Sequence, residues 1–241
     1  MVKKQRHTAV VTGAGKRIGQ AVALHLAKQG YDIALHYRSS KVEAVKTQQT
    51  ILKLGLRCEL FQADLADERQ VMRLIADVIQ SFPQLNVLVN SASIFTPNHF
   101  GTADLSVFKS HWDINFKAPY ILACEFARLV KTGQVINFID TNVVKYVSQH
   151  EDYLLTKKAL AEFTRMSAVS WGPRIRVNGI SPGMILPPVN NQPDDRAKRA
   201  NRIPLKRVGD LKYILQVVDV LLANEYMTGQ IIAVDGGEAL V

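Results

Sequence analysis

Short apolar runs alternate along this chain with longer stretches in which apolar positions recur at helical spacing. The apolar runs are TAVVT, YDIALHY, RCELFQA, LNVLVN, QVINFID, IRVNGI and GQIIAVD. An uninterrupted apolar run of this length predicts a strand buried on both faces, and the intervening period predicts helices. The pattern therefore predicts an α/β fold, a doubly wound parallel sheet with helices on both faces, whose ligands bind at the carboxyl ends of the strands.

The size of the chain favours a single domain. Its 241 residues are 47% hydrophobic, which is enough to bury one substantial core, so we predict one domain over residues 1–241. Residues 181–204 interrupt the βα rhythm with five prolines and few apolar side chains. Long insertions at this end of a sheet are usually lids or mobile loops, and we predict a lid over about residues 182–207.

Charge and cysteine content narrow the range of partners. A net charge of +9 attracts anions such as phosphorylated cofactors, and it is also found in proteins that bind nucleic acid. The densest basic segment, residues 196–207, has no aromatic side chain to stack on a base, so we expect no nucleic acid partner.

Cys58 and Cys124 are too few for a disulfide framework or a zinc site, and no apolar stretch is long enough for a signal peptide or a membrane span. We therefore expect a cytoplasmic protein without a metal.

The turn after the first apolar run reads TGAGKRIG. The strict dinucleotide pattern of three glycines fails here, because Ile18 stands in the third position when counting begins at Gly13. The position still favours a nucleotide site, since backbone N–H groups at the start of the next helix can hold a pyrophosphate. Lys16 and Arg17 add positive charge. The alternative is a helix entry that binds no ligand.

The end of the second apolar run indicates which dinucleotide binds. An acidic residue at this place hydrogen-bonds the ribose of NAD and repels a 2′-phosphate. The chain instead has Arg38, Ser39 and Ser40. They predict a preference for NADP(H), although an arginine in a solvated loop would give the same pattern. Asp64, after the third run, could accept a hydrogen bond from the adenine amino group or cap the following helix.

Tyr153 and Lys157 are four residues apart in a helical stretch and so share one face. A nearby ammonium group stabilises a phenolate, so we expect Lys157 to lower the pKa of Tyr153 towards the working range of a general acid. Lys158 should point elsewhere. Asn115 could stabilise its own helix or a proton-relay water. The Tyr-x-x-x-Lys spacing alone is common on helices and carries little weight.

Together these segments resemble the short-chain dehydrogenase/reductase family over essentially the whole chain. The similar segments are the turn after the first strand, LVNSAS, Asn115, the Tyr153/Lys157 pair, SPG at 181–183 and VDGG at 234–237. The resemblance implies a Rossmann-like domain and an NAD(P)-dependent oxidoreductase in which the tyrosine gives or takes a proton. It also implies that the lysine contacts the nicotinamide ribose and that the protein is a homotetramer.

Two departures from the common family pattern point to a substrate. Asp140 stands thirteen residues before Tyr153, where the family usually has a serine that stabilises an oxyanion. A carboxylate would repel an oxyanion, but it would stabilise a protonated C=N group or accept from an amino-substituted ring. The second departure is Arg17, which replaces the middle glycine of the family's turn.

Both departures, with LHYRSS and the phenylalanine of NSASIF, resemble the pteridine reductases and the related bacterial dihydromonapterin reductases. In those enzymes the aspartate and tyrosine act together, the arginine lies against pterin and cofactor phosphate, and a phenylalanine stacks on the pterin opposite the nicotinamide. Phe95 would be that phenylalanine here, with a core or lid contact as the alternative. A flat bicyclic substrate would gain stacking energy that an aliphatic ketone would not.

We therefore predict NADPH-dependent reduction of a ring C=N bond in a dihydropterin, such as dihydromonapterin, dihydrobiopterin or a dihydrofolate-like substrate, within pterin and folate metabolism. The alternatives are a carbonyl reductase, such as a 3-oxoacyl thioester reductase, and a non-catalytic NADP(H)- or RNA-binding regulator. The predicted catalytic residues are Asp140, Tyr153, Lys157 and Asn115, and the predicted substrate-binding residues are Arg17, Ser93, Phe95, Asp140 and Tyr153. The predicted cofactor-binding residues are Gly13, Lys16, Arg17, Ile18, His36, Tyr37, Arg38, Ser39, Asp64, Leu65, Asn90, Ser91, Ala92, Tyr153, Lys157, Pro182 and Gly183.

Overall fold

The computed structural model describes residues 6–102, 104–146, 150–186, 198 and 200–241. Its strands are β1 Thr8–Val11, β2 Asp32–Tyr37, β3 Cys58–Gln62, β4 Leu85–Asn90, β5 Gly133–Phe138, β6 Ile175–Pro182 and β7 Ile231–Val234. Its α-helices are α1 Arg17–Lys28, α2 Lys41–Lys53, α3 Glu68–Ser81, α4 Leu105–His111, α5 Ala118–Leu129, α6 Glu151–Trp171 and α7 Leu211–Ala223. A π-helix, Trp112–Lys117, joins α4 to α5, and short 3-10 turns occupy Phe100–Thr102, Thr141–Val144 and Glu238–Leu240.

The strands form one parallel sheet in the order β3-β2-β1-β4-β5-β6-β7. Each predicted apolar run overlaps one of these strands, so the predicted doubly wound α/β fold is confirmed. The direction in which strands are added reverses between β1 and β4, which lie side by side with Val11 opposite Val89. In sheets of this kind, ligands bind at this reversal, outside the carboxyl ends of the strands.

Apolar clusters cover both faces of the sheet. On one face, α1, α2 and α7 contribute the fully buried Leu26, Ile51 and Leu221. On the other face, α3 and α5 contribute Ile75 and Phe126. Each side chain of this size gains about 1.5–3 kcal/mol from burial. The two helical layers therefore make the sheet a firm support for the loops at its carboxyl edge.

The segment predicted to be a lid is described only in part, since residues 187–197 and 199 lie outside the described residues. The described part returns along the carboxyl edge of the sheet, where Leu205 N–H donates to the Gly236 carbonyl (3.2 Å) and Gly209 N–H donates to the Met184 carbonyl (2.9 Å). Its role as a lid stays a prediction. Among the helices of the described ranges, none combines the length and the apolar character that crossing a bilayer requires.

Candidate active site

A cleft of about 470 Å³ opens at the carboxyl ends of the strands. Its walls come from the turn after β1, the end of β2, the loop after β4, the end of β5, helix α6 and the segment after β6. The residues predicted to bind cofactor or substrate all line this cleft except Asn90, and the predicted catalytic residues all line it except Asn115. The fold thus gathers into one place residues that the sequence places more than a hundred positions apart.

The glycines of the turn after β1 allow close packing of the backbone. A Cβ atom at Gly13, whose φ is +66°, would lie 2.9 Å from the Ala92 Cα, and a Cβ at Gly19 would lie 2.5 Å from the Gly13 carbonyl oxygen. Side chains at these positions would force the turn away from the neighbouring strand end. The turn therefore presents backbone to the cleft at the start of α1, as the binding of a pyrophosphate requires.

Arg17, at the start of α1, adopts a left-handed φ of +56°. This conformation costs a residue with a Cβ roughly 1–2 kcal/mol, which explains why glycine suits the position. The Arg17 side chain lines the cleft. Because glycine would avoid the backbone cost, the strain is a reason to look for a function of the guanidinium group.

His36 connects the glycine turn to the adjacent strand ends. Its Nδ1 accepts a hydrogen bond from Gly13 N–H (3.1 Å), and its Nε2 donates to the Ala63 carbonyl (3.1 Å) in the matching tautomer. Burial lowers the pKa of His36 to about 4, outweighing the opposing effects of Ala63 and Asp64. The imidazole is therefore neutral near pH 7, and the neutral form is the one that can hold Gly13.

The outer end of the cleft is lined by Arg38, Ser39 and Ser40, together with Asp64. The Asp64 Oδ1 accepts from Ala66 N–H (3.0 Å), so this carboxylate shapes its own turn while facing the cleft. Basic and hydroxyl groups thus surround the place where the second strand ends.

Lys16 is also at the cleft, and its Nζ pairs with the Glu43 Oε1 at 2.9 Å. Both side chains are largely exposed, so the ion pair contributes little to stability. The pair joins the glycine turn to α2 and offsets part of the positive charge that the sequence places there.

Asp140 and Tyr153 hydrogen-bond directly at the inner end of the cleft. The Tyr153 hydroxyl donates to the Asp140 Oδ2 (3.0 Å), while the Asp140 Oδ1 accepts from the backbone N–H (2.8 Å) and the side-chain amide (3.0 Å) of Asn142. Asp140 precedes the short turn after β5, and Tyr153 lies in the first turn of α6. The carboxylate of Asp140 and the phenol of Tyr153 therefore face the same part of the cleft and can contact the same bound molecule.

Lys157 does not have the predicted effect on its neighbour. Its Nζ donates to the Phe138 carbonyl (2.8 Å) and lies 5.7 Å from the centroid of the Tyr153 ring. Burial, and then the charge of Asp140, raise the pKa of Tyr153 well above its usual value, and burial lowers the pKa of Lys157 to about 8. The predicted lowering of the Tyr153 pKa is wrong here, because burial and an adjacent carboxylate outweigh a more distant ammonium group. Lys158 points elsewhere, as predicted.

Phe95 lies at the mouth of the cleft beside two rings from the start of α6. It stacks on His150, with 4.0 Å between ring centroids and 29° between planes, and it meets Tyr153 edge-on at 4.7 Å. The Phe95 residue is 58% exposed and, like Ser93, lines the cleft. The alternative of a core contact does not hold, since a core phenylalanine would be buried. An exposed ring in this place can stack on a flat ligand.

Asn115 lies behind the cleft, fully buried in the π-helix. Its Oδ1 accepts from Ile94 N–H (2.8 Å) and from the Ser93 hydroxyl (3.0 Å), and its Nδ2 donates to the Ile94 carbonyl (2.9 Å). These bonds engage both ends of the amide, so its contacts lend no support to a proton-relay role for the side chain. Asn115 instead anchors the segment that leads to Phe95.

Asn90 is buried beneath the cleft and not in its wall. Its Nδ2 donates to the Asn137 Oδ1 (2.9 Å), and the Asn137 Nδ2 donates to the Thr164 hydroxyl (2.9 Å). This chain of amides ties β4 to β5 and to α6. The contacts of the Asn90 side chain are thus structural, in contrast to its predicted place in the cofactor site.

Sequence reasoning missed two histidines near Phe95. His150 supports one face of the Phe95 ring, and the His111 Nε2 accepts from Thr96 N–H at 3.1 Å. Each is a lone histidine without a motif, and no spacing links either to Phe95. Only the packing of α4 and α6 against the loop after β4 brings them together.

Comparison with known proteins agrees with this architecture. A family model described as enoyl-(acyl carrier protein) reductase matches residues 13–238. The dihydromonapterin reductase of Escherichia coli (strain SMS-3-5 / SECEC) is 28% identical over 245 residues, covering 100% of both chains. The 3-oxoacyl-[acyl-carrier-protein] reductase FabG of Staphylococcus aureus (strain N315) is 31% identical over 244 residues, covering 97% of this chain and 98% of its own.

Among solved structures, FolM alternative dihydrofolate reductase 1 from Brucella canis, complexed with NADP, superposes with a TM-score of 0.94. It is 33% identical and covers 98% of this chain and 95% of its own. The matched family model spans the glycine turn, the Asp140–Tyr153 pair and all of the sheet except β1. The chain belongs to the short-chain dehydrogenase/reductase family of oxidoreductases and is similar to its pteridine-reductase-like members.

Proposed function

We propose that this protein uses NADPH to reduce a ring C=N bond of a dihydropterin. The observation that carries the proposal is the 3.0 Å hydrogen bond from Tyr153 to Asp140 beside the exposed ring of Phe95. A carboxylate at this place favours a ring that carries amino groups and gains a proton, and it disfavours a nascent alkoxide. Similarity to a dihydromonapterin reductase and to a dihydrofolate reductase supports the same substrate class.

The cleft fits NADP(H). The backbone cradle at Gly13 and Gly19, which a Cβ atom would fill, suits the pyrophosphate. Arg38 and Ser39 would hold a 2′-phosphate at the end of β2, where an acidic residue would repel it. Lys157 and Tyr153, at the inner end of the cleft, would hold the nicotinamide ribose. The solved relative that carries NADP supports this assignment.

When bound, NADPH supplies the hydride. The Tyr153 hydroxyl donates the proton to the ring nitrogen, since its raised pKa keeps it protonated near neutral pH. Asp140 accepts hydrogen bonds from the amino-bearing ring and stabilises its positive charge, while Asn142 fixes the orientation of the carboxylate. The ammonium group of Lys157 lies close enough to the Tyr153 ring to offset negative charge left on the phenol oxygen.

Arg17 and Phe95 would select the substrate. Phe95 offers an exposed face on which a bicyclic ring can stack. The Arg17 guanidinium can bridge a cofactor phosphate and the polar edge of the substrate ring, because it is planar and has several donors. The left-handed backbone of Arg17 is consistent with selection for this side chain despite its conformational cost.

The test is NADPH oxidation with dihydromonapterin, dihydrobiopterin and dihydrofolate beside a 3-oxoacyl thioester and simple ketones. Pterin turnover should dominate, and Tyr153→Phe should lower it by about 10²–10⁴-fold, the usual contribution of a positioned acid. Asp140→Ser should lower pterin turnover while leaving or improving ketone turnover. Tyr120→Phe, at a tyrosine 44% exposed on α5, is the matched control and should change neither. Unimpaired pterin turnover in the Asp140 variant would refute the proposal.

A second candidate is a 3-oxoacyl thioester reductase, which the 31% identity to FabG favours. The cleft provides the tyrosine and lysine that such an enzyme would use, but it places Asp140 where an oxyanion would form. The same assay separates the candidates. Activity on thioesters or ketones alone, insensitive to Asp140→Ser, would favour this second function.

We also propose that the protein assembles as a homotetramer. Apolar side chains of α6 remain exposed on the described protomer, with Met166 at 70% and Val169 at 86%, and the edge strand β7 is only partly covered. Exposed apolar surface of this kind is typical of contacts between subunits. Light scattering coupled to size-exclusion chromatography tests the proposal, and a mass of 26.9 kDa, that of one chain, would contradict it.

A further inference from the structure

The segment that carries Phe95 is held on both sides of that residue. On the N-terminal side, Asn115 accepts from Ile94 N–H and donates to the Ile94 carbonyl. On the C-terminal side, the His111 Nε2 accepts from Thr96 N–H at 3.1 Å. The backbone on each side of Phe95 is therefore hydrogen-bonded to a side chain, Asn115 or His111, of the helical stretch that starts with α4.

A third contact closes the segment against the catalytic helix. Asn98 accepts from Asp104 N–H (3.1 Å) and donates to the Asp104 carbonyl (3.2 Å). The Asn98 side-chain amide also donates to Asp152, which is almost fully buried and precedes Tyr153 directly. The first turn of α6 therefore holds the segment from one side while α4 holds it from the other.

The chemistry of His111 indicates that its hydrogen bond to Thr96 is the reason for an imidazole here. His111 is fully buried, and its Nδ1 has no hydrogen-bond partner among the described residues. An apolar side chain would avoid the cost of burying that nitrogen. Burial lowers the pKa of His111, against an opposing effect of Asp152, so the neutral ring can accept through Nε2 near pH 7.

The position of Phe95 bears directly on the reacting groups. Its ring meets Tyr153 edge-on at 4.7 Å, and the His111 ring lies 6.2 Å from the same tyrosine. A stacking platform is useful only if it is fixed relative to the proton donor, since misplacing a bound ring lowers the population of the reactive geometry. Release of Thr96 would let the Phe95 ring shift over Tyr153.

We propose that His111 is a positioning residue, which fixes Phe95 through Thr96 and thereby sets the affinity for the flat ring of the substrate. The role in substrate affinity rests on the proposed pterin reductase function. His111 does not line the cleft, so its effect should appear in the Michaelis constant for the pterin and leave NADPH binding unchanged.

The first measurement needs no substrate. Hydrogen–deuterium exchange of the NADPH complex reports on the amides of residues 93–99 in wild type, His111→Leu and His111→Gln. We expect exchange in this stretch to be about five-fold faster in the leucine variant, the effect of losing roughly one net hydrogen bond. The glutamine variant should restore protection, because its Oε1 can take the place of Nε2 as acceptor.

His25→Leu is the matched control. The His25 Nε2 bonds the Asp219 Oδ1 at 2.6 Å and ties α1 to α7, away from Phe95. This variant should lose stability without faster exchange in residues 93–99. If it accelerates exchange there as much as His111→Leu does, general loosening explains the result and the proposal is overturned.

The second measurement is the steady-state kinetics of the three variants with dihydromonapterin. His111→Leu should raise the pterin KM about five-fold with kcat and the NADPH dissociation constant within a factor of two, and His111→Gln should recover most of the loss. An unchanged KM, or equal defects in both variants, would overturn the proposal. If the wild type turns over no pterin, the proposed function fails and the role in pterin affinity falls with it. The exchange data then decide only whether His111 anchors Phe95.

Discussion

The two ends of the cleft are built in different ways. The cofactor end consists of backbone brought close by glycine, with Gly13 held by the buried side chain of His36. The substrate end consists of side chains from separate elements, with Asp140 after β5, Tyr153 on α6 and Phe95 after β4. The first end is built mainly from backbone and the second from side chains, so they should respond differently to substitution.

The difference follows from what each end must recognise. A pyrophosphate is bound by peptide groups at a helix start, which any chain with the correct turn can offer. A substituted ring is distinguished by the charge and shape of particular side chains, which must be held in register by their neighbours. Changes at the cofactor end should therefore alter nucleotide affinity alone, whereas changes at the substrate end should alter substrate discrimination.

The largest effect expected at the cofactor end is at Arg38. Arg38→Asp places a negative charge where a 2′-phosphate would bind, so we expect the KM for NADPH to rise about 10–100-fold, the value of a charge-assisted hydrogen bond. The KM for NADH should change less, and the pterin KM should stay constant. Steady-state kinetics with both nucleotides measures this. A similar rise in the pterin KM would contradict the expectation that changes at the cofactor end alter nucleotide affinity alone.

The next effect concerns pH and His36. Its folded pKa of about 4 lies below the ordinary 6.5, so the unfolded chain binds a proton first as the pH falls. The stability that neutral His36 contributes is therefore complete above pH 6.5 and is lost as the pH falls towards 4. Between pH 6.5 and 5 the loss should be about 1.5 kcal/mol.

Urea titrations of wild type and His36→Phe at both pH values measure this loss. The variant has no imidazole at position 36, so its stability should fall between pH 6.5 and 5 by about 1.5 kcal/mol less than that of the wild type. Identical pH dependence in the two proteins would show that His36 is not the buried neutral base that holds Gly13.

The smallest effect is at Arg17, which lies where the two ends meet. Arg17→Gly removes a Cβ from a left-handed position and should raise the stability by about 1 kcal/mol, or about 2–4 °C in Tm. The same change should weaken both NADPH and pterin binding. Lys16→Gly is the control, because Lys16 has an extended φ of −144° and no strain to relieve. If Arg17→Gly gains both stability and pterin affinity, the proposed role of the Arg17 guanidinium in binding is contradicted.

The sequence predicted which residues of the glycine turn and of the end of β2 line the cleft, because those signals are local. The apolar runs located every strand, and the glycine turn and the Arg38 to Ser40 stretch lie within single connections at the cleft. The spacing of Tyr153 and Lys157 correctly placed both on one helix. It misjudged their electrostatics, since a count of residues cannot weigh burial and Asp140 against the lysine.

The sequence by itself determined the order of strands and helices along the chain. It also determined which residue types are available at the carboxyl edge of the sheet. Periodicity and turn chemistry act over a few residues, so one chain is enough to read them. Only the tertiary structure showed that Asn115 and His111 accept hydrogen bonds from the segment that carries Phe95. Hydrogen bonds and burial between distant elements depend on how the helices pack, and no local pattern encodes that packing.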